Sequence, residues 1–184
     1  ASKDSTLQVP GPTSLTASGG YIVADNATNE FGGIVSVSSG TNVKLVDKDA
    51  ITLGSLSHTG NLKVTAGGAV TGSGVIGGAG YADITAKGGI NLSGGNTAAS
   101  VILNNTDTGS IVYKASRASG LSVGAVTNTA PSAGDITVSN SAGNVSLTSA
   151  ISASAPNSVI TIATTGNFAN GAGSTALTPG TGGK

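Results

Sequence analysis

One strand pattern returns along this chain about every twenty residues, and few folds tolerate that regularity. Asn42-Val43-Lys44-Leu45-Val46 aligns with Asn61-Leu62-Lys63-Val64-Thr65 at a shift of 19. That block aligns with Tyr81-Ala82-Asp83-Ile84-Thr85 at a shift of 20. A companion strand keeps step, with Ile51, Val70, Ile90 and Ile111 following one another at shifts of 19, 20 and 21. Within each block apolar residues alternate with Ser, Thr, Lys or Asn, the period of a strand with one buried face. Gly, Asn, Asp and Ser cluster between the blocks, where tight turns demand positive φ or side-chain capping of the backbone. No window carries apolar residues at the i, i+3, i+4, i+7 spacing of a helix.

Two or three short strands plus turns in about twenty residues make one coil of a β-solenoid. Coils stacked at the ~4.8 Å strand spacing place the same inward position at each level, so branched residues form ladders along the axis. An immunoglobulin-type sandwich also has short strands and turn signals, but has no reason for a fixed period. The fold expected is therefore all-β, a parallel β-helix with coils of about 19–21 residues, forming one segment over residues 1–184. Within it, residues 1–20 read as an irregular or leading coil and 21–119 as regular coils. Residues 120–134, around Pro131, read as a looser, loop-rich stretch. The pattern resumes with Ile136/Val138, Val145/Leu147 and Ile160/Ile162, so 135–184 reads as closing coils.

Composition agrees with ladders of small side chains and excludes much chemistry. Among 184 residues there are 30 Gly, 3 Tyr and 2 Phe, and no Cys, Met or Trp. The absent thiols leave no disulfide framework, thiolate metal site or cysteine nucleophile. A single histidine, His58, rules out a multi-histidine metal site within one chain. Eight scattered cations balanced by eight acids offer little counterion release, which argues against a nucleic-acid partner. Apolar runs such as Val101-Ile102-Leu103 are far shorter than the roughly twenty residues of a spanning helix, so no membrane insertion is expected.

Several local patterns imitate known sites. Gly72-Ser73-Gly74-Val75-Ile76-Gly77 satisfies G-x-G-x-x-G, but that fingerprint works only where a helix starts, and Gly78-Ala79-Gly80-Tyr81 does not start one. Gly77 to Asp83 approaches a calcium nonapeptide with its Asp one place late and no second copy. Asp47-Lys48-Asp49 reads as a solvated corner whose carboxylates cap turn amides rather than a cation site. His58 reads as a surface turn residue. Glu30 is the only glutamate, and the Asp residues fall at strand edges and corners, a poor supply for the paired carboxylates of a polysaccharide-cleaving β-helix. Sequons at Asn26, Asn91, Asn104 and Asn144 are what chance places in an Asn- and Ser-rich chain.

Two segments carry a resemblance. Asn29-Glu30-Phe31-Gly32-Gly33-Ile34-Val35-Ser36-Val37, followed by Asn42 to Asp47, Asp49 to Gly54 and Gly60 to Thr71, resembles a recurring unit of large bacterial filamentous-haemagglutinin-type exoproteins. Glu30 stands where that unit usually has Asp, and Lys48 where it has a small residue. Gly166 to Gly173, with Ala176-Leu177 and Pro179 to Gly182, is similar to the motif that closes such arrays. The resemblance covers residues 25–75 and 135–182. It implies a right-handed parallel β-helix exported through an outer-membrane translocator by two-partner secretion, extracellular or on the cell surface, and used in attachment or biofilm.

Three readings follow from different classes. The first is a structural stalk segment of a secreted filamentous adhesin, with no catalytic, cofactor or metal site. The second is a binding module for host or surface glycans, with Asn128, Thr129 and Ser132 in the looser stretch as candidate recognition residues. End-to-end self-association into a filament is its variant. The third is a polysaccharide-cleaving β-helix enzyme, for which one Glu and scattered Asp residues are a poor supply.

Overall fold

A computed structural model describes residues 5–132, 134–174 and 176–184. The first four residues of the expected leading segment lie outside these. The described residues contain strands, turns and bends, and no helix.

Alternation sets which side chains turn inward, and the corners set where the chain bends. Val43–Asp47 (β6) runs with Val43, Leu45 and Asp47 buried and Lys44 exposed. The chain then turns through Lys48 to Ala50 and returns as Ile51–Leu56 (β7), with Ile51, Leu53 and Leu56 buried. After a second turn it comes back beside itself as Leu62–Ala66 (β8), in register with β6, and then as Val70–Gly72 (β9), in register with β7. Repetition of that circuit builds two parallel sheets.

The first sheet continues from β8 to Tyr81–Ala86 (β10), Ser100–Asn105 (β12), Leu121–Asn128 (β14), Val145–Leu147 (β16) and Phe168–Asn170 (β19), with Ile22–Ala24 (β3) beside β6 at the other edge. The second runs from Thr13–Thr16 (β2) through Ile34–Ser39 (β5), β7 and β9 to Ile90–Asn96 (β11), Ile111–Ala115 (β13), Ile136–Asn140 (β15) and Ile160–Thr164 (β18). Its eight strands mark about eight turns. Gln8–Val9 (β1) and Glu30–Phe31 (β4) form a small third pairing, and Ile151–Ala153 (β17) and Leu177–Thr178 (β20) extend the first sheet beside β14. The structure is a parallel β-solenoid, as the period predicts.

The core lies between the sheets as stacked files. Ile51, Val70, Ile90, Ile111, Ile136 and Ile160 are consecutive partners in one file. Leu45, Val64, Ile84, Leu103, Val126, Ile151 and Leu177 form another on the opposite sheet. Within these files Ile51 to Ile136 and Leu45 to Ile151 are fully buried, and burial of each of these side chains contributes roughly 1.5–3 kcal/mol relative to exposure. Closure of the corners needs glycine where backbones meet. A Cβ on Gly67 would run into the Lys48 carbonyl oxygen one coil away, so no side chain fits there.

Two expectations need correction. The step of 19 to 21 describes the middle coils, such as Val43 to Leu62 and Leu62 to Ala82, but not the later ones. Ile111 pairs with Ile136, a shift of 25, and Ile151 with Leu177, a shift of 26. The stretch 120–134 is also less loop-like than its sequence suggests, because it holds β14, eight residues long. One extra residue lies between Val123 and Val126 relative to their partners Val101 and Leu103, and this bulge blurs the alternation. In the next coil the strand is split, with β16 on the first half of β14 and β17 on the second.

Candidate functional site

Polar residues inside a solenoid must find partners at the corners, because an unpaired buried amide costs about 1–3 kcal/mol. Asparagine does this repeatedly here. Asn105 is fully buried; its Oδ1 accepts from Gly89 N at 2.8 Å, and its Nδ2 donates to Thr108 O, Gly109 O and Asn128 Oδ1 at 2.8, 3.0 and 3.0 Å. Asn128, directly above it, donates from Nδ2 to Gly109 O and accepts from Ala130 N. Asn96 and Asn140 close the equivalent corner of the other sheet. Asn96 Oδ1 accepts from Ile76 N, and Asn140 Nδ2 donates to Arg117 O and Asn144 O.

This placement breaks up the recognition stretch expected at Asn128, Thr129 and Ser132. Asn128 has no exposed surface, so it is a structural corner residue and not a contact for a ligand. Thr129 is exposed but its hydroxyl is turned to Thr106 O and Asn105 O, while Ser132 is exposed in a bend. The three do not form one surface. The alternation along β14, with Leu121, Val123, Val126 and Asn128 all inward, shows why.

His58 also departs from expectation. It is buried, with Nδ1 3.1 Å from Gly60 O and Nε2 unpartnered among the described residues. Gly78 of the next coil stacks on the ring at φ +120, and a Cβ there would collide with Cε1. Burial lowers the imidazole pKa from its ordinary value, against a smaller opposing effect of the Gly60 carbonyl.

The acidic corner follows its sequence reading in part. Asp47 caps amides, accepting from Phe31 N and Asp49 N at 2.8 Å each, but it is buried rather than solvated. Lys48 instead pairs with Glu30 at 2.9 Å and faces Asp49 at 3.7 Å. The Glu30 contact first, then Asp49, raises the Lys48 pKa. Asp83, the displaced Asp of the calcium-like stretch, lies in β10 and pairs with Lys63. The G-x-G-x-x-G segment leaves β9 into turns and a single bridge at Ile76, with no helix. Among the described residues no three His, Cys, Asp or Glu side chains gather as a metal set.

On the outside of the first sheet, a trough of about 310 Å³ is lined by Tyr21, Asn42, Asn61 and Tyr81 with Lys44 and Lys63. The sequence carried a signal for it. The repeat alignment already stacks Asn42, Asn61 and Tyr81, and pairing of Ile22 with Val43 adds Tyr21 one longer step earlier.

No curated protein and no solved structure matches the chain. A family model described as "Repeats of unknown function (DUF5649)" matches residues 2–38 and 40–112. That match spans more than half of the sequence and most of the tight coils. The chain belongs to this repeat family.

Proposed function

We propose that this chain is a structural rod segment of a secreted, cell-surface-associated filamentous adhesin serving attachment or biofilm. The observation that carries the reading is the unbroken parallel file from Ile51 to Ile160, which gives a polypeptide axial reach with little mass. Stacked coils transmit position along one axis and leave both outer faces free. Resemblance to filamentous-haemagglutinin-type repeats supports secretion through an outer-membrane translocator. No catalysis is assigned, since the carboxylates described above are engaged with lysines or corner amides.

A second reading, end-to-end stacking, draws on a separate observation. In the last coil Ile160 and Ile162 are only partly buried, and Phe168 and Leu177 are 48% and 44% exposed, although their partners one coil below are fully buried. Such an edge accepts another coil, from the same parent chain or from a second copy.

Concentration-dependent fibres of the isolated chain in electron micrographs are expected from end-to-end stacking, and a strictly monomeric chain would contradict it. The rod reading is tested in cells that produce the protein. Replacing this segment with an unrelated solenoid of equal coil number should preserve attachment, and deleting it should reduce attachment. Loss of attachment with the equal-length replacement would contradict the spacer role. Antibodies to the chain should label intact cells; labelling only after lysis would contradict surface display.

A further inference from the structure

The five aromatic residues of this chain are divided unevenly between inside and outside. Phe31 and Tyr113 are core residues, whereas Tyr21 is 70% and Tyr81 41% exposed. Both tyrosines stand on the outer face of the first sheet, at the same position of their coils. The register of β3, β6, β8 and β10 stacks Tyr21, Asn42, Asn61 and Tyr81 as consecutive neighbours. Two rings therefore bound a trough three coil steps long, about 14 Å at the ~4.8 Å strand spacing.

The trough lining is mainly apolar, with the two tyrosines and the exposed Val23, and the fold sets two oriented carboxamides into it. Asn42 Oδ1 accepts from Asn61 N at 2.7 Å, and Asn61 Oδ1 from Tyr81 N at 3.1 Å. Each carboxamide is thereby oriented with its oxygen used along the axis and its Nδ2 left as a donor. Lys44 and Lys63 are direct register partners beside this file, close enough to repel. Each is balanced from outside the pair, Lys44 by Asp25 at 2.8 Å and Lys63 by Asp83. One carboxylate contact leaves further N–H donors on each ammonium. Both lysines line the trough, each with one carboxylate partner at its margin, Asp83 standing next to Lys63 in the same file.

We infer that this trough binds an anionic polysaccharide laid along the solenoid axis. Tyrosine presents an apolar ring face with a polar tip, which suits the C–H face and the hydroxyls of a pyranose. The carboxylate of a uronic acid residue meets the Lys44 and Lys63 ammonium groups, and the Asn42 and Asn61 Nδ2 groups donate to ring or hydroxyl oxygens. An extended chain of repeated units fits a surface whose own units repeat along one axis. This assignment moves glycan recognition from residues 128–132 to the opposite end of the chain, and it holds whether or not the rod serves an adhesin.

The test is calorimetric titration of the full 184-residue chain with an oligogalacturonate, a neutral dextran oligosaccharide and poly-glutamate. Saturable binding of the oligogalacturonate is expected, at least tenfold tighter than either control. Tyr21→Ala with Tyr81→Ala, and separately Lys44→Gln with Lys63→Gln, should each weaken it at least tenfold. Unchanged circular dichroism and thermal midpoint in the variants would show that the coils persist. Equal binding of poly-glutamate would reduce the site to charge alone and overturn the proposal. Equal binding of dextran would overturn its anionic component, and no binding, or binding untouched by both double variants, would overturn it entirely.

Discussion

The coils between Ile34 and Ala115 and those that follow solve the same stacking problem with different amounts of chain. In the first region partners recur at shifts of 18 to 21, as from Ile34 to Thr52 and from Ile90 to Ile111. In the second they recur at shifts of 22 to 26, as from Ser100 to Ser122 and from Ile151 to Leu177. The inward files cross the boundary without a break. What is held constant is therefore the register of inward positions, and the corners and one bulge absorb the extra length. Glycines packed against backbone close corners in both regions, Gly67 over Lys48 in the first and Gly143 over Arg117 in the second. Buried carboxamides likewise serve both, Asn96 and Asn105 in the first and Asn128 and Asn140 in the second. The family match ends at residue 112, close to where the step lengthens.

That contrast is most severely tested at the corner where both solutions share a file. Ala66 pairs with Asp47 below it, and Ala86 with Asn105 above it, while Asn105 pairs with Asn128. Asn105→Ala leaves Gly89 N and Thr108 O without their carboxamide partner and takes a donor from Asn128 Oδ1, while Gly109 O keeps its bond from Asn128 Nδ2. Urea denaturation should show a loss of about 3 kcal/mol or more. A loss under about 1 kcal/mol would mean the longer corners do not depend on the carboxamide.

Glycine contacts should separate a corner from the bulge next. Gly67→Ala drives a methyl into backbone and is expected to cost about 2 kcal/mol or more. Gly124→Ala, at the bulge of β14, meets the Ile102 side chain at 3.0 Å and the Val101 carbonyl oxygen at 3.2 Å, and should cost about 1 kcal/mol, less than Gly67→Ala. Equal costs would contradict the closer packing of the corner glycine.

Acid sensitivity should also belong to the short coils, since the only histidine lies there. The folded state disfavours His58 protonation, so its pKa lies below the unfolded value of about 6.5. Stability is then complete above about pH 6.5 and declines as the pH falls through the folded pKa. The urea midpoint measured from pH 8 to pH 5 should fall in the parent and stay flatter in His58→Gln. The smallest effect is expected at Tyr113, whose hydroxyl is buried with no hydrogen-bond partner among the described residues and whose pKa burial raises. Tyr113→Phe removes that group from a filled site, and thermal melts should show a change within about 1 kcal/mol, neutral or stabilising.

The short coils were legible because Val, Ile and Leu recur at a near-constant step and the strands between them alternate cleanly. Counting fails inside β14, because a single inserted residue between Val123 and Val126 reverses the apparent face of the rest of that strand. Asn128 was misplaced for that reason: it resembles a polar turn residue, yet it ends a strand with its side chain inward. His58 was misplaced for a different one. Its burial depends on Gly78, a residue of the next coil, and local sequence around a turn contains no such information. The amide-capping role of Asp47 was readable because Asx capping is local, while its burial under Phe31 was not. The outer trough needed both the repeat register and the knowledge of which side each strand turns outward.

The central claim is the coil register itself, and spin-label distances test it most directly. Thr52, Thr71, Asn91, Val112, Thr137 and Thr161 are consecutive partners in an outward-facing file. The chain has no cysteine, so introduced pairs label cleanly. Labels at Thr52 combined in turn with Val112, Thr137 and Thr161 should report backbone separations near 14, 19 and 24 Å, rising by one ~4.8 Å step per coil. Equal increments across the long coils are the predicted result. Separations that fail to rise, or that jump between Val112 and Thr137 where the shift grows to 25, would contradict it.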